Sequence, residues 1–350
     1  MPNSNHVPST LMQFLMHNQP KGSRGAFTLL MMAIQTSVKV VEMNIRSAGA
    51  QGLFGHLSSG QANATGDAQA KLDVIANNAF KAYLMSSDCV SFMGSEEDDS
   101  LVVVNAGQQG NYVVFFDPLD GSTNIDANIS IGSIWGIWCL PKGTVVKSVS
   151  DANKVLPQLS GNRLVSSGYA MYGTATSLVI TTGNGVDGFT LDTTVGEFIH
   201  THPNVKVPVS HPIYSVNEGN IRHWDSWYRR YLHYIKNKSE KPYSARYIGS
   251  MVADIHRTLL YGGIFCYPGD KKKPGGKLRL MYEAAPMAFL IEQAGGMAVT
   301  GSGRLLDVVP KEIHQRTPVF MGSVREVELC MSFMQGEQPS EAGCMARSRL

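Results

Sequence analysis

Residues 115–126 read FFDPLDGSTNID, and the two aspartates in this stretch decide how the rest of the chain is interpreted. Phe115 and Phe116 end an apolar run typical of a buried strand, and Asp117 and Asp120 follow directly. Aspartate, proline, asparagine and glycine are common in turns, so an ordinary loop is one interpretation. The other is a site where carboxylates bind a hard cation and the backbone amides that follow bind a phosphate.

The composition is that of a folded globular protein. Of 350 residues, 43% are hydrophobic and 17% are charged, which is enough apolar side chain for one large core or two packed subdomains. The net charge of +2 and the short run Lys271–Lys273 indicate no nucleic-acid partner. No stretch approaches the roughly 18 apolar residues of a membrane span, so no membrane partner is expected. The five cysteines form no CxxC pair, which favours a reducing compartment over disulfides.

The chain ends in Ser348-Arg349-Leu350, one conservative change from the Ser-Lys-Leu peroxisomal signal. The polar stretch of residues 336–350 is expected to be a flexible tail that a receptor can read. These residues predict a peroxisome-type organelle, a glycosome or a peroxisome, with a peroxisomal-type import receptor as partner. A cytoplasmic location is the alternative.

Apolar spacing predicts the main elements. From Phe27 to Ile45 apolar residues recur every three to four positions, as on one buried helix face, and Gly49 offers a stop. Runs that are apolar on both faces predict strands covered by helices on either side; they cover residues 101–104, 112–116, 129–140 and 178–182. Asp117 would then lie at the carboxyl end of a buried strand, where such sheets place ligands. The Pro- and His-rich residues 201–212 are the expected junction between two subdomains.

Further carboxylates border apolar runs. Glu96 and Glu97 stand shortly before LVVV, Asp67 and Asp73 flank AQAKL, and Glu283 opens a late helical stretch. Taken singly, the first pair could lie in a solvated loop, Asp67 could cap a helix, and Glu283 could favour a helix N-terminus. A joint site explains why all of them adjoin segments that must be buried.

Such a set of oxygen ligands favours magnesium, with manganese as the alternative. Mg²⁺ takes near-octahedral oxygen coordination, and two or three such ions can clamp a phosphate monoester and lower the pKa of a bound water. Gly121, Ser122 and Thr123 would supply backbone N–H groups to the phosphate. No histidine pair has the spacing of a zinc site.

The sequence FDPLDGS with the following Asn-Ile-Asp resembles the metal signature of the fructose-1,6-bisphosphatases, within the lithium-sensitive sugar phosphatase superfamily. That short signature also fits inositol phosphatase relatives. The segments ARYIGSMVADIHRTLLYGGIFCYP (245–268) and GKLRLMYEAAPMAFLIEQAGG (276–296) are similar to the fructose-1,6-bisphosphatase family itself. The resemblance covers roughly residues 21–335.

The resemblance implies roles for individual residues. The implied metal ligands are Glu96, Glu97, Asp117, the carbonyl of Leu119, Asp120 and Glu283. Asp73 and Glu97 match the pair that activates the attacking water, and Asp67 lies in the same active-site region. Implied substrate contacts are Gly121, Ser122 and Thr123 at the 1-phosphate, Asn217, Tyr247, Tyr267 and Lys277 at the 6-phosphate, Met251, and Arg246 from a neighbouring subunit. Asn220 replaces a tyrosine that the family usually has there.

The family's AMP site is altered in this chain. Thr28 and Tyr112 match it, but the segment Arg24–Thr28 reads RGAFT where vertebrate-type members have Thr-Gly-Glu-Leu-Thr, and Asn111 and Cys139 replace basic residues. AMP is therefore retained as a possible inhibitor, with a pocket that is weaker or differently built.

The fold implied is a layered α/β/α/β/α sandwich with two subdomains, assembled as a homotetramer. The predicted divisions are a flexible tail (1–20), an N-terminal AMP-type allosteric subdomain with most metal ligands (21–205), a C-terminal substrate-binding subdomain (206–335) and a flexible tail (336–350). The implied activity is hydrolysis of fructose 1,6-bisphosphate to fructose 6-phosphate and phosphate in gluconeogenesis, by divalent-metal activation of water.

Two alternatives stay open on the sequence. A sedoheptulose-1,7-bisphosphatase, or an enzyme with both specificities, needs much the same two ends. A non-catalytic metabolite sensor could keep the fold, although every matching carboxylate is present.

Overall fold

The computed structural model describes residues 9–19, 25–55, 70–104 and 110–336. Within these ranges the α-helices are α1 (Leu11–Asn18), α2 (Ala26–Gln51), α3 (Lys71–Ser86), α4 (Val149–Val155), α5 (Ser226–Asn237), α6 (Met251–Tyr261), α7 (Ala285–Gln293) and α8 (Val324–Met334). The strands are β1 (Val90–Ser95), β2 (Val102–Val103), β3 (Tyr112–Asp120), β4 (Ile131–Cys139), β5 (Leu164–Tyr172), β6 (Thr176–Thr181), β7 (Asp187–Asp192), β8 (Glu197–His202), β9 (Ile213–Ser215), β10 (Ser244–Ala245), β11 (Ile264–Tyr267), β12 (Met297–Val299) and β13 (Val319–Gly322).

The strands form two sheets that separate three layers of helix. The large sheet has the order β2-β1-β3-β4-β5-β6-β7-β8, and the small sheet has the order β10-β9-β11-β13-β12. One face of the large sheet packs on α1, α2 and α3, and its other face packs on α6 and α7. The small sheet covers the far side of α6 and α7 and carries α5 and α8 on its outer face. The predicted α/β/α/β/α layering is confirmed.

Strand β3 shows why the pattern of residues 112–116 is apolar throughout. Val113 and Phe115 belong to the core beneath α7, whereas Val114 and Phe116 belong to the core beneath α2 and α3. Side chains alternate along a strand, so a strand with a helix layer on each face needs apolar residues at every position.

Helix α2 is confirmed and runs to Gln51, two residues past the predicted stop at Gly49. The chain ends the helix at Gly52, whose φ of 65° is left-handed and whose N–H donates to the carbonyls of Ala48 and Gly49. Among the described residues, α2 is also the one helix long and apolar enough to cross a bilayer. Half of its apolar window is buried inside the protein, so the core accounts for this hydrophobicity.

The prediction that residues 1–20 form a flexible tail is wrong for α1. Thr10 caps this helix in a reciprocal pair with Gln13, and Leu11 and Leu15 are buried against the large sheet. Phe14 packs edge-on against Phe189, with 5.3 Å between the ring centroids. Apolar residues at i, i+3 and i+4 give even this short helix a buried face. The end of the C-terminal tail, residues 337–350, lies outside the described residues.

Candidate active site

A cavity of about 390 Å³ lies where the large sheet meets α6, α7 and the small sheet. It brings together fourteen of the residues singled out from the sequence: Asp73, Glu96, Glu97, Asp117, Leu119, Asp120, Gly121, Ser122, Thr123, Tyr247, Met251, Tyr267, Lys277 and Glu283. Asn217, Arg246, Thr28 and Tyr112 do not line it. Asp67 lies outside the described residues.

The acidic end of the cavity follows from the pairing of β1 with β3. These strands are parallel, and Ser95 pairs with Phe116, so both strands end at one edge of the sheet. The N–H of Glu96 still donates to the Phe116 carbonyl at 3.2 Å, which holds the SEEDD segment beside Asp117. The Glu97 N–H donates to Ser95 Oγ at 3.2 Å. This acidic run is therefore positioned by the sheet and is not a free loop.

A bulge in β3 places its two aspartates together. The pairing of β3 with β4 shifts register between Asp117 and Asp120, and the Leu119 N–H donates to Asp117 Oδ1 at 2.9 Å. Bulges re-aim side chains that a regular strand would direct to alternate faces. As a result, carboxylate oxygens of Asp117, Asp120 and Glu283 all lie within 4.8 Å of one another.

Glu283 comes from an irregular turn of helix. Residues Leu280–Ala284 form a π-helical turn that continues into α7, a feature that often marks functional positions. The Arg279 N–H donates to Glu283 Oε2 at 2.5 Å. The wider turn and this bond hold the carboxylate, which is 7% exposed, against the two aspartates of β3.

Burial and mutual repulsion raise the pKa values of these acids. Burial is the largest effect on each; it raises the pKa of Glu96 to about 7 and of Glu283 to about 8, and the charge of Glu96 adds to the rise in the pKa of Glu283. Burial also raises the pKa of Asp120 to about 6, against the lowering effect of hydrogen bonds from Val252 and Ser250. The pKa of Asp117 is raised well above its usual range by burial and by its acidic neighbours.

These residues fit a hard divalent cation. The clustered donors are carboxylate oxygens, and no histidine or cysteine is among the described residues that line the cavity. Oxygen donors of this kind suit Mg²⁺, and a bound cation would offset the repulsion among the acids. The residues that would hold it are Glu96, Glu97, Asp117, Asp120 and Glu283, with the Leu119 carbonyl.

Asp73 lies beside Glu97 at the start of α3. Its Oδ2 atom accepts the Ala70 N–H at 2.9 Å, whereas its Oδ1 atom is buried without a hydrogen-bond partner among the described residues. Burial and then the charge of Glu97 raise the pKa of Asp73 to about 7. A carboxylate with a free buried oxygen and a pKa near neutrality is suited to accept a proton from a water.

The turn after β3 brings the backbone of Gly121 close to Ser250. Gly121 has a φ of +79°, and a Cβ at this position would lie 2.8 Å from the Cβ of Ser250. A single 3₁₀ turn, Ser122–Asn124, follows. Glycine is required here both by the left-handed conformation and by the contact with the segment before α6.

The same cavity also carries hydrogen-bond donors. Tyr247, Tyr267 and Lys277 line it, and the Asn217 side chain lies close enough to Tyr247 to lower the pKa of its hydroxyl. Burial raises the pKa of Tyr247 to about 12, so its hydroxyl stays a donor at neutral pH. Arg246 is exposed, and its Nη1 atom donates to the carbonyl of Ala245 at 2.9 Å.

Sequence reasoning missed two charged residues in this cavity, Arg279 and Asp254. Arg279 is 3% exposed, and its charge lowers the pKa of both Glu96 and Glu283. The sequence feature that could have indicated Arg279 is its position inside the apolar run KLRLM. A charged side chain in a buried segment needs an opposite charge nearby. Asp254 is fully buried in the first turn of α6.

The residues matched to an AMP site lie elsewhere. Thr28 is in the first turn of α2, and its Oγ1 atom is buried without a hydrogen-bond partner among the described residues. Tyr112 begins β3, with its ring centroid 6.1 Å from that of Phe27. Cys139 pairs with Tyr112 across the sheet. Arg24 lies outside the described residues.

The chain is similar to several plant proteins over nearly its whole length. It is 48% identical over 333 residues to "Fructose-1,6-bisphosphatase, cytosolic" of Beta vulgaris, covering 94% of this chain and 95% of the relative. It is 49% identical over 323 residues to the protein of the same name from Arabidopsis thaliana, covering 91% and 92%. These relatives are named cytosolic, so the organellar location expected from Ser348-Arg349-Leu350 is contradicted.

Solved structures and family models agree with these relatives. The chain superposes on a crystal structure of Leishmania major fructose-1,6-bisphosphatase in holo form with a TM-score of 0.91 and 60% identity, covering 94% of this chain and 100% of that one. The T-state structure of that enzyme gives a TM-score of 0.87 and 57% identity, with coverages of 94% and 99%. The models "Fructose-1-6-bisphosphatase, N-terminal domain" and "Fructose-1-6-bisphosphatase, C-terminal domain" match residues 9–203 and 207–335. The chain therefore belongs to the fructose-1,6-bisphosphatase family.

Proposed function

We propose that this protein hydrolyses the 1-phosphate of fructose 1,6-bisphosphate, giving fructose 6-phosphate and phosphate in gluconeogenesis. The observation that carries this proposal is that one cavity is lined both by clustered carboxylates and by the donors Tyr247, Tyr267 and Lys277. A sugar bisphosphate needs one end where a phosphate is activated and another that only binds. Binding energy from the non-reacting phosphate then helps to fix the reacting one.

At the acidic end, the proposed ligands Glu96, Glu97, Asp117, Asp120, Glu283 and the Leu119 carbonyl hold Mg²⁺. A bound metal would supply polarisation of the phosphate, a lowered pKa for a water and compensation of charge on the leaving oxygen. The backbone turn Gly121–Thr123 holds the 1-phosphate at this edge. Mn²⁺ is the alternative ion, because it prefers the same oxygen donors.

Asp73 and Glu97 act on the water in this proposal. The Oδ1 atom of Asp73, which has no partner among the described residues, accepts the proton while Glu97 orients the water for in-line attack on phosphorus. The raised pKa of Asp73, about 7, matches this role near neutral pH. Asp67 is proposed to assist from the neighbouring segment.

At the distal end, Tyr247, Tyr267, Lys277 and Asn217 bind the 6-phosphate, and Met251 packs against the sugar. Arg246 is exposed and turned toward its own backbone in a single chain. We propose that it reaches the 6-phosphate of a neighbouring subunit in a homotetramer. Thr28 and Tyr112 are proposed to take part in a modified AMP site, and the cytoplasmic location is the one that the names of the plant relatives support.

The test is phosphate release from fructose 1,6-bisphosphate, with and without Mg²⁺, with an EDTA control. Magnesium-dependent release supports the proposal, and an AMP titration in the same assay reports on the altered site. The same assay with sedoheptulose 1,7-bisphosphate compares kcat/KM for the two substrates. Absence of release with either Mg²⁺ or Mn²⁺, from folded protein, would overturn the enzymatic assignment in favour of a metabolite sensor.

A further inference from the structure

One buried carboxylate connects the segments that carry the proposed 6-phosphate ligands. Asp254 lies in α6, has a side chain with no exposed surface and lines the cavity. Its Oδ1 atom accepts a 2.7 Å hydrogen bond from Ser215 Oγ, at the end of β9. Ser215 stands two residues before Asn217 along the chain. This bond therefore fixes the point from which the Asn217 segment departs.

The same carboxylate holds the loop between β10 and α6. The N–H of Ile248 donates to both Asp254 oxygens, at 3.1 and 3.2 Å, and the N–H of Gly249 donates to Oδ2 at 3.1 Å. Tyr247 directly precedes these two amides, and Gly249 has a left-handed φ of +87°. The two N–H groups lie in a tight turn, where no strand or helix supplies them with an acceptor. Asp254 accepts their hydrogen bonds instead.

Arg257 completes the arrangement. Its Nη2 atom donates to Asp254 Oδ1 at 2.9 Å and also to the backbone carbonyl of Arg246. The guanidinium compensates the buried charge of Asp254, which would otherwise oppose an anionic ligand in the same cavity. Charge-assisted bonds of this kind are the strong ones, and they fix both ends of the Arg246–Gly249 turn.

We propose that Asp254 and Arg257 are positioning residues for the distal phosphate: together they set the place of Asn217, Tyr247 and Arg246 without touching the substrate. This inference rests on the proposed function and adds to it the residues that decide the preference for a bisphosphate over a monophosphate. Asp254 itself offers no donor to a phosphate. Its effect passes through the backbone that it holds.

The experiment compares fructose 1,6-bisphosphate with fructose 1-phosphate, which lacks the distal phosphate. Asp254→Asn replaces one accepting oxygen with an NH₂ group that meets backbone N–H donors, so the turn should shift. We expect KM for the bisphosphate to rise about tenfold to a hundredfold, the range that the loss of hydrogen bonds to a charged group gives, with kcat within about threefold. The kcat/KM for fructose 1-phosphate should change far less, so the ratio between the two substrates falls.

A matched control is Asp187→Asn. Like Asp254, Asp187 accepts hydrogen bonds from a side chain and from the backbone, in its case His200 Nε2 at 2.9 Å and the Asn204 N–H at 3.1 Å, but it lies on β7 away from the cavity. This variant should keep the wild-type substrate ratio. Equal losses on both substrates in Asp254→Asn, or an unchanged ratio, would overturn the positioning role.

If Asp254→Asn does not fold, variants of Arg257 test the inference instead. Arg257→Met removes the bonds to Asp254 and Arg246 and should lower the substrate ratio, whereas Arg257→Lys, which keeps a cationic donor, should restore part of it. An unchanged ratio in Arg257→Met overturns the inference. Wild-type protein that releases no phosphate from either sugar refutes the proposed function instead, so the two failures are distinguishable.

Discussion

The hydroxyl of Ser250 donates a 2.8 Å hydrogen bond to Oδ2 of Asp120, and the N–H of Val252 donates to the same oxygen at 2.9 Å. Asp120 ends a strand of the large sheet, whereas Ser250 precedes α6 in the second half of the chain. Because Asp120 also belongs to the acidic cluster, the place of a proposed metal ligand depends on how the two halves pack.

Replacing Asp120 should abolish turnover while leaving the fold intact. Asp120→Asn keeps an acceptor for Ser250 and Val252 but removes a negative charge from the cluster. We expect kcat/KM to fall by about a thousandfold or more, equivalent to about 4 kcal/mol of lost transition-state stabilisation. Kinetics at several Mg²⁺ concentrations and thermal unfolding measure the two effects separately. Asp192→Asn, at the exposed end of β7, is the control. Wild-type-like turnover in Asp120→Asn would refute the metal assignment.

Substituting Gly121 separates backbone strain from close approach. Gly121→Ala introduces a Cβ into a left-handed position and presses it within 2.8 Å of Ser250. Gly143→Ala is matched, because Gly143 has a φ of +77° and no atom within 4 Å of the added Cβ. Left-handed strain alone costs about 1–3 kcal/mol. We expect both variants to lose stability in denaturant unfolding and only Gly121→Ala to lose activity; equal activity in the two would show that the contact with Ser250 is dispensable.

Much of the acidic cluster was predictable because its residues adjoin apolar runs. FFDPLD places two carboxylates at the end of a strand that must be buried, and SEEDD precedes LVVV. The bulge that turns Asp117 and Asp120 to one cation was not predictable, since it depends on a register shift against β4. Strand β1 was missed as well, although it is the parallel neighbour that positions Glu96.

The residues that escaped prediction act through tertiary contacts. Asp254 sits in GSMVADIHRTLL, where helical spacing makes it one polar position among several, and its role appears only when Ser215 and the turn before α6 meet it. Helix α1 was missed because its sequence is short and its stability comes from packing on the large sheet, not from intrinsic propensity. Local pattern predicts what is buried; long-range pairing decides which groups face each other.

A subunit-mixing experiment tests the shared site. Arg246→Ala should raise KM for fructose 1,6-bisphosphate by about tenfold, because one bidentate donor to the phosphate is lost. Asp120→Asn subunits should be inactive. If Arg246 acts on the neighbouring subunit, hybrids of the two variants contain some complete sites. In these, the Arg246→Ala subunit supplies the intact acidic cluster and the Asp120→Asn subunit supplies the wild-type arginine. Low-KM activity should then return when the variants are dissociated and mixed. Activity that equals the average of the two parents would place Arg246 in the site of its own chain.

His256 should make stability depend on pH. Burial, aided by the charge of His202, lowers the pKa of His256 to about 4 from the usual 6.5, and its Nδ1 atom lies 2.8 Å from the Tyr169 hydroxyl. Between these values the unfolded chain binds a proton that the native state does not. The stabilisation of the native state by neutral His256 is therefore complete above pH 6.5. It is lost as the pH falls, by up to about 1.4 kcal/mol per pH unit. His256→Gln should flatten this part of the wild-type profile in urea unfolding, whereas His233→Gln, on the exposed side of α5, should not; an identical slope in wild type and His256→Gln contradicts the prediction.

Without metal, the acidic cluster should give the opposite pH dependence. The pKa values of Asp120, Glu96 and Glu283 are raised to about 6, 7 and 8, so the native state binds protons that the unfolded chain has released. Stability from these groups is full below pH 4 and falls as the pH rises toward 8. A bound Mg²⁺ should reverse this pH dependence, because it favours the ionised acids.

In EDTA we expect a lower Tm at pH 8 than at pH 5.5, and a larger gain in Tm from Mg²⁺ at pH 8. The double variant Asp120→Asn/Glu283→Gln, which removes two of the titrating groups, should reduce both the Tm difference between the two pH values and the difference in Tm gain from Mg²⁺. A Mg²⁺ effect that is equal at the two pH values would show that these acids are not the ligands.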